Sequence, residues 1–197
     1  MKKDIGPSEL VFPTPVFIAG TYDANDVPNA VTLAWGGVAC SSPAAVSIAV
    51  RPSRYSYENL MLRKAFTINL PPAKYAKEAD YFGIASGKNG NKFAATGLTP
   101  VRSEFVDAPY IEEFPYNMEC EVTHTLDLGS HTLFIGAVKN VKVGEELLGE
   151  NGNLLWERAG FLTYDGADRT YRLPGEITEK AFRAGLIFRT ESENNAG

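Results

Sequence analysis

Cysteine and histidine are scarce. The 197 residues contain Cys40 and Cys120, His124 and His131, and no others of either type. Cysteines so few and without a CxxC spacing exclude a disulfide scaffold. A tetrahedral zinc site would need all four of these residues, or help from carboxylates. The common nucleotide and hydrolase signatures are missing too: GxGxxG follows no strand, and neither GxxxxGK[ST] nor GxSxG occurs. Those absences remove a Rossmann-type dinucleotide domain, a P-loop and a nucleophile elbow. No apolar run approaches the roughly 18 residues of a membrane-spanning helix. The opening "MKKDIGPSEL" has no apolar signal core, so cytoplasmic residence in a reducing compartment is the expectation. Basic charge is not in excess either. With 19 Lys and Arg against 24 Asp and Glu, the net charge of −5 argues against bulk nucleic-acid binding.

What is present is an ordinary globular composition, 44% hydrophobic and 22% charged, with 11 Phe, 9 Tyr and two Trp. Strand-like runs dominate. "VFIAGTY" (16–22) and "AVTLAWGGVAC" (30–40) flank a turn-rich segment and predict a long hairpin. "AVSIAV" (45–50), apolar on both alternations, predicts a central strand covered on both faces. "YSYENLMLRK" (55–64) has a helical pattern with Tyr57, Leu60 and Met61 on one face. "AFTINL" (65–70) returns to strand. "AKYAKEADYFGIAS" (73–86) is the best helix, with Tyr75, Ala79 and Phe82 sharing a face. Residues 87–117 read as irregular, a segment too long to be an idle connector. Two further hairpins are predicted, over 118–144 with a "DLGS" turn and over 161–173 with Asp165-Gly166 as the turn. "EITEKAFRAG" predicts a short helix ending at Gly185, followed by a polar tail. Many strands, short helices and no regular βαβ alternation favour one antiparallel barrel domain over a doubly wound sheet.

Some stretches could carry chemistry. "RPSRYS" places Arg51, Ser53, Arg54 and Ser56 just ahead of a helix, where amides, hydroxyls and guanidinium groups suit a phosphate. A helix capped by Ser53 or Ser56, with solvated arginines, is the commoner meaning of such a stretch taken alone. "TLAWGGVACSSP" (32–43) combines Trp35 with Gly36-Gly37, which suits close approach of a flat ligand. A glycine bulge beside a core tryptophan explains it equally well. Lys88 and Lys92 sit in a Gly/Asn loop that could reach an anion, although surface lysines are common. Cys40 with His131 could form a nucleophile pair, but neither has a local activating signature. His124 reads as a structural histidine.

In order, "TLAWGGVACSSPAAVSIAVRPSRYSYENL", "AFTINLP", "SGKNGNKFAATGLT", "MECEV", "GSHTLFIGAV" and "LTYDGADRTYRL" resemble the flavin reductase-like, FMN-binding split-barrel family of flavoredoxin type. They span about residues 10–175. The resemblance implies a mainly β fold with short helices, built as a six-stranded antiparallel Greek-key barrel. It implies one domain over 1–197 with a tail from about 186, and a homodimer with FMN near the subunit interface. By this likeness Thr32, Trp35, Gly36, Gly37, Val38, Ala39, Cys40, Ser41 and Ser42 line the isoalloxazine ring, largely through backbone groups. Arg51, Ser53, Arg54 and Ser56 meet the ribityl phosphate, and Lys92 adds a second cation. Asn29 and His131 lie near the flavin or the nicotinamide path, His131 being the catalytic candidate. Ala34-Trp35 and Gly36-Gly37 stand where relatives vary. The implied activity is that of an FMN-binding oxidoreductase, first a flavin reductase using NADH or NADPH. A flavoredoxin-like electron carrier without a nicotinamide site, or a non-redox flavin-binding module, are the alternatives.

Overall fold

The strand-forming runs assemble into three sheets in the computed structural model, which describes residues 1–188. A short sheet joins β1 (Thr14–Pro15) to the hairpin of β11 (Thr163–Asp165) and β12 (Thr170–Arg172). The main sheet contains β2 (Phe17–Tyr22), β3 (Pro28–Leu33), β4 (Gly36–Ser41), β5 (Ala44–Val50), β6 (Ala65–Asn69), β9 (Tyr116–Asp127) and β10 (Thr132–Val143), all antiparallel. A third pairs β7 (Pro100–Arg102) with β8 (Pro109–Ile111). Three α-helices follow the barrel strands closely: α1 (Tyr55–Arg63), α2 (Ala76–Ile84) and α3 (Lys92–Thr96).

The main sheet runs in the order β3-β2-β6-β9-β10-β5-β4. Its two ends are one run of chain, interrupted only at Ala34-Trp35. The first half pairs with β2, Leu33 opposite Phe17, and the second with β5, Gly36 opposite Ile48. The Ala49 N–H also donates to the Trp35 carbonyl at 2.9 Å. Counted this way the sheet closes as a ring of six strands, the architecture expected from the resemblance. Gly36 permits the crossing, since a Cβ there would lie 2.7 Å from the Ser47 carbonyl and 2.9 Å from the Phe17 ring.

Strand alternation sorts the apolar side chains into two cores. Ala19, Val31, Leu33, Ile48, Phe66 and Phe134 fill the barrel. On the other face of β2 and β3, Ile18 and Ala30 pack with Ala79 and Phe82 of α2, Phe93 of α3 and Ile111 of β8. Strands β2 and β3 are therefore covered on both sides, and so is β6, every residue of which is buried. In β5, predicted to be so covered, Val46, Ile48 and Val50 are buried while Ala45, Ser47 and Ala49 are only half-buried.

Several expectations are corrected. The predicted strand over 30–40 is split between opposite ends of the sheet order. In α1, Met61 points outward and Ser56, Asn59 and Leu60 are the buried residues, because the helix packs a polar face onto β2. The helix over 73–86 opens as a 3-10 turn, Ala73–Tyr75, before α2. The irregular 87–117 contains α3, β7 and β8. No helix covers 176–185. A 3-10 turn, Ala184–Phe188, stands there with Gly185 inside it, and the predicted tail beyond 188 lies outside the described residues. Among the described residues no helix is long and apolar enough to cross a membrane.

Asn69 ties these layers together. It is fully buried, and its amide donates to the Ile18 carbonyl at 2.8 Å and Thr67 Oγ1 at 2.9 Å. Its carbonyl accepts from the Ile111 N–H at 2.9 Å and Asn117 Nδ2 at 2.8 Å. Every hydrogen-bonding position of the side chain is used, across β2, β6, β8 and β9. Asn69→Ala strands several buried partners and is expected to cost about 3 kcal/mol in urea unfolding. A loss below about 1 kcal/mol would show that the network does not hold the layers.

Candidate functional site

The start of α1 and the end of α2 meet at a cavity of about 120 Å³ lined by Ser53, Arg54, Ser56, Ala85, Ser86 and Lys92, with Val31 and Tyr55. Lys92 Nζ donates to the Phe82 carbonyl at 3.2 Å and the Ala85 carbonyl at 3.3 Å, and Arg54 Nη1 to the Gly83 carbonyl at 3.3 Å. Carbonyls at a helix C-terminus lack intrahelical donors and carry the negative end of the dipole. They hold both cations without a carboxylate, and no carboxylate lines the cavity. Lys92 is almost wholly buried. Burial first, and then the Arg54 charge, lower its ammonium to about 8.

The serine-capped alternative is not what forms. Arg54 occupies the cap position of α1 and its side chain makes no cap hydrogen bond, so the first-turn amides have no side-chain acceptor. Ser56 Oγ accepts from Asn29 Nδ2 at 2.7 Å. Asn29 Oδ1 is buried and has no partner, and it lies against Gly87, where a Cβ would come within 2.5 Å of it. The set suits a phosphate ester.

A second cavity of about 280 Å³, which shares no lining residue with the first, lies at the adjoining residues of β3 and α2. Val31 lines the first cavity, and Thr32, Ala34 and Trp35 the second. Ala85 lines the first, and Gly83 and Ile84 the second. Thr32 donates its hydroxyl to the Ala79 carbonyl, and a Cβ on Gly83 would lie 3.3 Å from Thr32 Cβ, so helix and strand are in close contact here. Tyr164, Arg169 and Tyr171 of the β11–β12 hairpin form the opposite wall. A third cavity of about 380 Å³ shares Ala34, Trp35, Tyr164 and Arg169 with the second, and adds Leu10, Val11 and Gly36. Trp35 stacks on His131 with ring centroids 5.8 Å apart. Arg51 Nε donates to His131 Nε2 at 3.4 Å. Burial and the Arg51 charge lower the His131 pKa below the usual 6.5, which keeps the ring neutral at pH 7.

A family model described as a flavin reductase like domain matches residues 9–165. The chain belongs to that family. The flavoredoxin of Desulfovibrio vulgaris (Miyazaki F) is 42% identical, with a TM-score of 0.89 over 94% of this chain and 100% of that one. The flavoredoxin from Methanosarcina acetivorans shares the fold, with a TM-score of 0.90 at 24% identity over 96% of this chain and 100% of that one. An uncharacterized protein of Pyrococcus abyssi is 32% identical over 137 residues, 70% of this chain and 78% of the relative.

In this flavin reductase-like chain the predicted site residues fall into separate groups. Ser53, Arg54, Ser56 and Lys92 converge on the first cavity, with Asn29 bonded to Ser56. Thr32 and Trp35 line the second, and Trp35 and Gly36 the third. Arg51 does not join Arg54; it reaches His131 beside Trp35 instead. Gly37, Val38, Ala39, Cys40, Ser41 and Ser42 line none of these cavities, and Val38 is 84% exposed on the outer strand. Cys40 Sγ donates to the Ser42 carbonyl and is not bonded to His131. Burial pushes the Cys120 thiol up to about 12, and His124 lies exposed beside Thr123. Sequence reasoning missed Gly83, Ile84, Ser86, Tyr164, Arg169 and Tyr171. The one available signal was the arginine in "YDGADRTY", flanked by two tyrosines.

Lys92 gives a stability test. Its folded pKa near 8 lies below the ordinary 10.5, so the unfolded chain binds the additional proton between those values, and stability from this group rises with pH there. Urea unfolding of Lys92→Met and the unsubstituted protein at pH 7 and pH 9.5 should show the difference moving toward the unsubstituted protein by about 2 kcal/mol. An unchanged difference would mean that Lys92 titrates normally.

Proposed function

We propose that this protein binds FMN and acts as an FMN-dependent oxidoreductase, with NADH or NADPH as electron donor. The observation that carries this reading is the two-cation cavity, lined by no carboxylate among the described residues, with a separate cleft beside Trp35 on the next residues of β3 and α2. FMN phosphate carries nearly two negative charges at pH 7, which Arg54, Lys92, Ser53, Ser56 and the α1 amides are suited to hold. Asn29, donating to Ser56 Oγ, would orient that hydroxyl toward the phosphate. Thr32, Ala34 and Trp35 on one side and Gly83 and Ile84 on the other would border the ring. FMN, when bound, would supply the redox chemistry between reduced nicotinamide and an electron acceptor. The chain's part is to bind, orient and exclude water, and His131, stacked on Trp35, would lie beside the ring with burial and the Arg51 charge favouring its neutral form.

This reading includes a homodimer in the cytoplasm. The exposed outer strand at Val38, Ala39 and Cys40, next to the Trp35 cleft, supports a subunit contact there, so predicted residues outside the cavities would lie between subunits. Light scattering of the FMN-loaded protein tests it: a monomer at micromolar concentration would contradict the contact. The identity to a flavoredoxin favours a second reading, an electron carrier without a nicotinamide site.

Two measurements test the proposal. Arg54→Ala should weaken FMN by about tenfold or more while changing riboflavin little, because only FMN brings the phosphate. Equal losses would contradict the phosphate position. Anaerobic addition of NADH or NADPH to the FMN-loaded protein should bleach the flavin absorbance within seconds. Flavin that binds but is not bleached by either donor supports the carrier, and failure to bind FMN at saturating concentration defeats both readings.

A further inference from the structure

The β11–β12 hairpin carries a cation with no evident structural task. Its other charges are engaged: Arg172 pairs with Asp165 at 3.1 Å and Asp168 at 2.7 Å, and Thr170 Oγ1 donates to Asp168 at 2.5 Å. Asp165 Oδ1 also accepts the Ala167 N–H at 3.0 Å, which fixes the turn. Arg169 follows directly and makes no hydrogen bond or ion pair among the described residues. Its backbone is left-handed, with φ of 58°, where glycine or asparagine is the easier choice. A long charged side chain thus occupies a turn position that disfavours it.

Arg169 also lines both the 280 Å³ cleft and the 380 Å³ chamber beyond it. The chamber is bordered by Leu10 and Val11 of the N-terminal segment, and Leu10 lies close enough to the hairpin that a Cβ on Gly166 would sit 3.3 Å from its Cδ2. Trp35 is common to both spaces and 49% exposed, an unusual exposure for so large an aromatic in a cleft. Among the described residues Glu9 lines the chamber and Asp80 the cleft, so each space sets a carboxylate in its lining with Arg169, which disfavours a ligand of high negative charge.

We propose that Trp35 and Arg169 select planar, monoanionic aromatic substrates for the flavin chemistry, the ring lying against Trp35 and the anionic group on Arg169. The proposal rests on the FMN reading above and deepens it by naming a substrate class. A guanidinium grips carboxylates and sulfonates through paired N–H groups, and an indole face supplies sequence-neutral stacking area. Arg169 is in this sense a specificity residue, and it is distinct from the arginine and lysine of the phosphate cavity.

The test is equilibrium dialysis of oxidised, FMN-loaded protein against 1,4-naphthoquinone-2-sulfonate and against 1,4-naphthoquinone, with the FMN content of each sample read from its absorbance. The unsubstituted protein should prefer the sulfonate by about tenfold or more. Arg169→Gly should abolish that preference, and Arg169→Lys should restore part of it. The melting temperature of Arg169→Gly should stay level or rise by about 2 °C, since glycine relieves the left-handed backbone. Equal affinity for both quinones in the unsubstituted protein, or a preference that survives Arg169→Gly, would overturn the proposal while leaving the FMN reading intact. Protein that holds no FMN would overturn both.

Discussion

Everything at the site depends on where two cations find their partners. Lys92 and Arg54 are held by carbonyls at the end of α2, not by carboxylates. A carboxylate would have neutralised them and left a closed ion pair. Backbone carbonyls orient a cation but remove little of its charge, so the cavity keeps a positive potential inside a protein of net charge −5. The lowered Lys92 pKa follows from the same arrangement. Such a site is mildly destabilising when empty and becomes stabilising when an anion enters, by the linkage between binding and folding.

The barrel is the frame that makes this geometry possible. Closure at Ala34-Trp35 bends one strand so that its first half faces α2 and its second half lies on the outer surface. The bend puts Trp35 at the junction of the cleft and the chamber. Gly36 admits the crossing, and Asn69 fixes β8 against β2, β6 and β9. The second core, with Phe82 and Phe93 packed together at 5.3 Å between ring centroids, sets α3 against α2 and thereby delivers Lys92 to the carbonyls it bonds.

Much of the fold was legible because apolar, β-branched runs such as 16–22 and 65–70, punctuated by turn residues, mark the strands that form the sheet. The doubly covered strand was misassigned because coverage depends on which helix lies outside, and the alternation in "AVSIAV" does not contain that fact. Met61 was misplaced because α1 buries Ser56 and Asn59, polar residues that pattern reading sends to solvent. The cluster of Ser53, Arg54 and Ser56 could be read directly, since adjacency in sequence at a helix start is adjacency in space. Arg51 could not be separated from Arg54 that way; a strand end aims it at His131. Tyr164 and Arg169 were out of reach, because only the return of the last hairpin to β1 carries them to Trp35.

The central claim is that the cavity is an anion site whose buried lysine is partly neutral until the phosphate arrives. Titration calorimetry with FMN at pH 8.5, in two buffers of different ionisation enthalpy, reads the protons taken up on binding. With Lys92 near 8 in the free protein and held protonated in the complex, uptake should be about 0.5 to 0.8 proton per FMN, and close to none for riboflavin. No uptake with FMN, or equal uptake with riboflavin, would contradict the account.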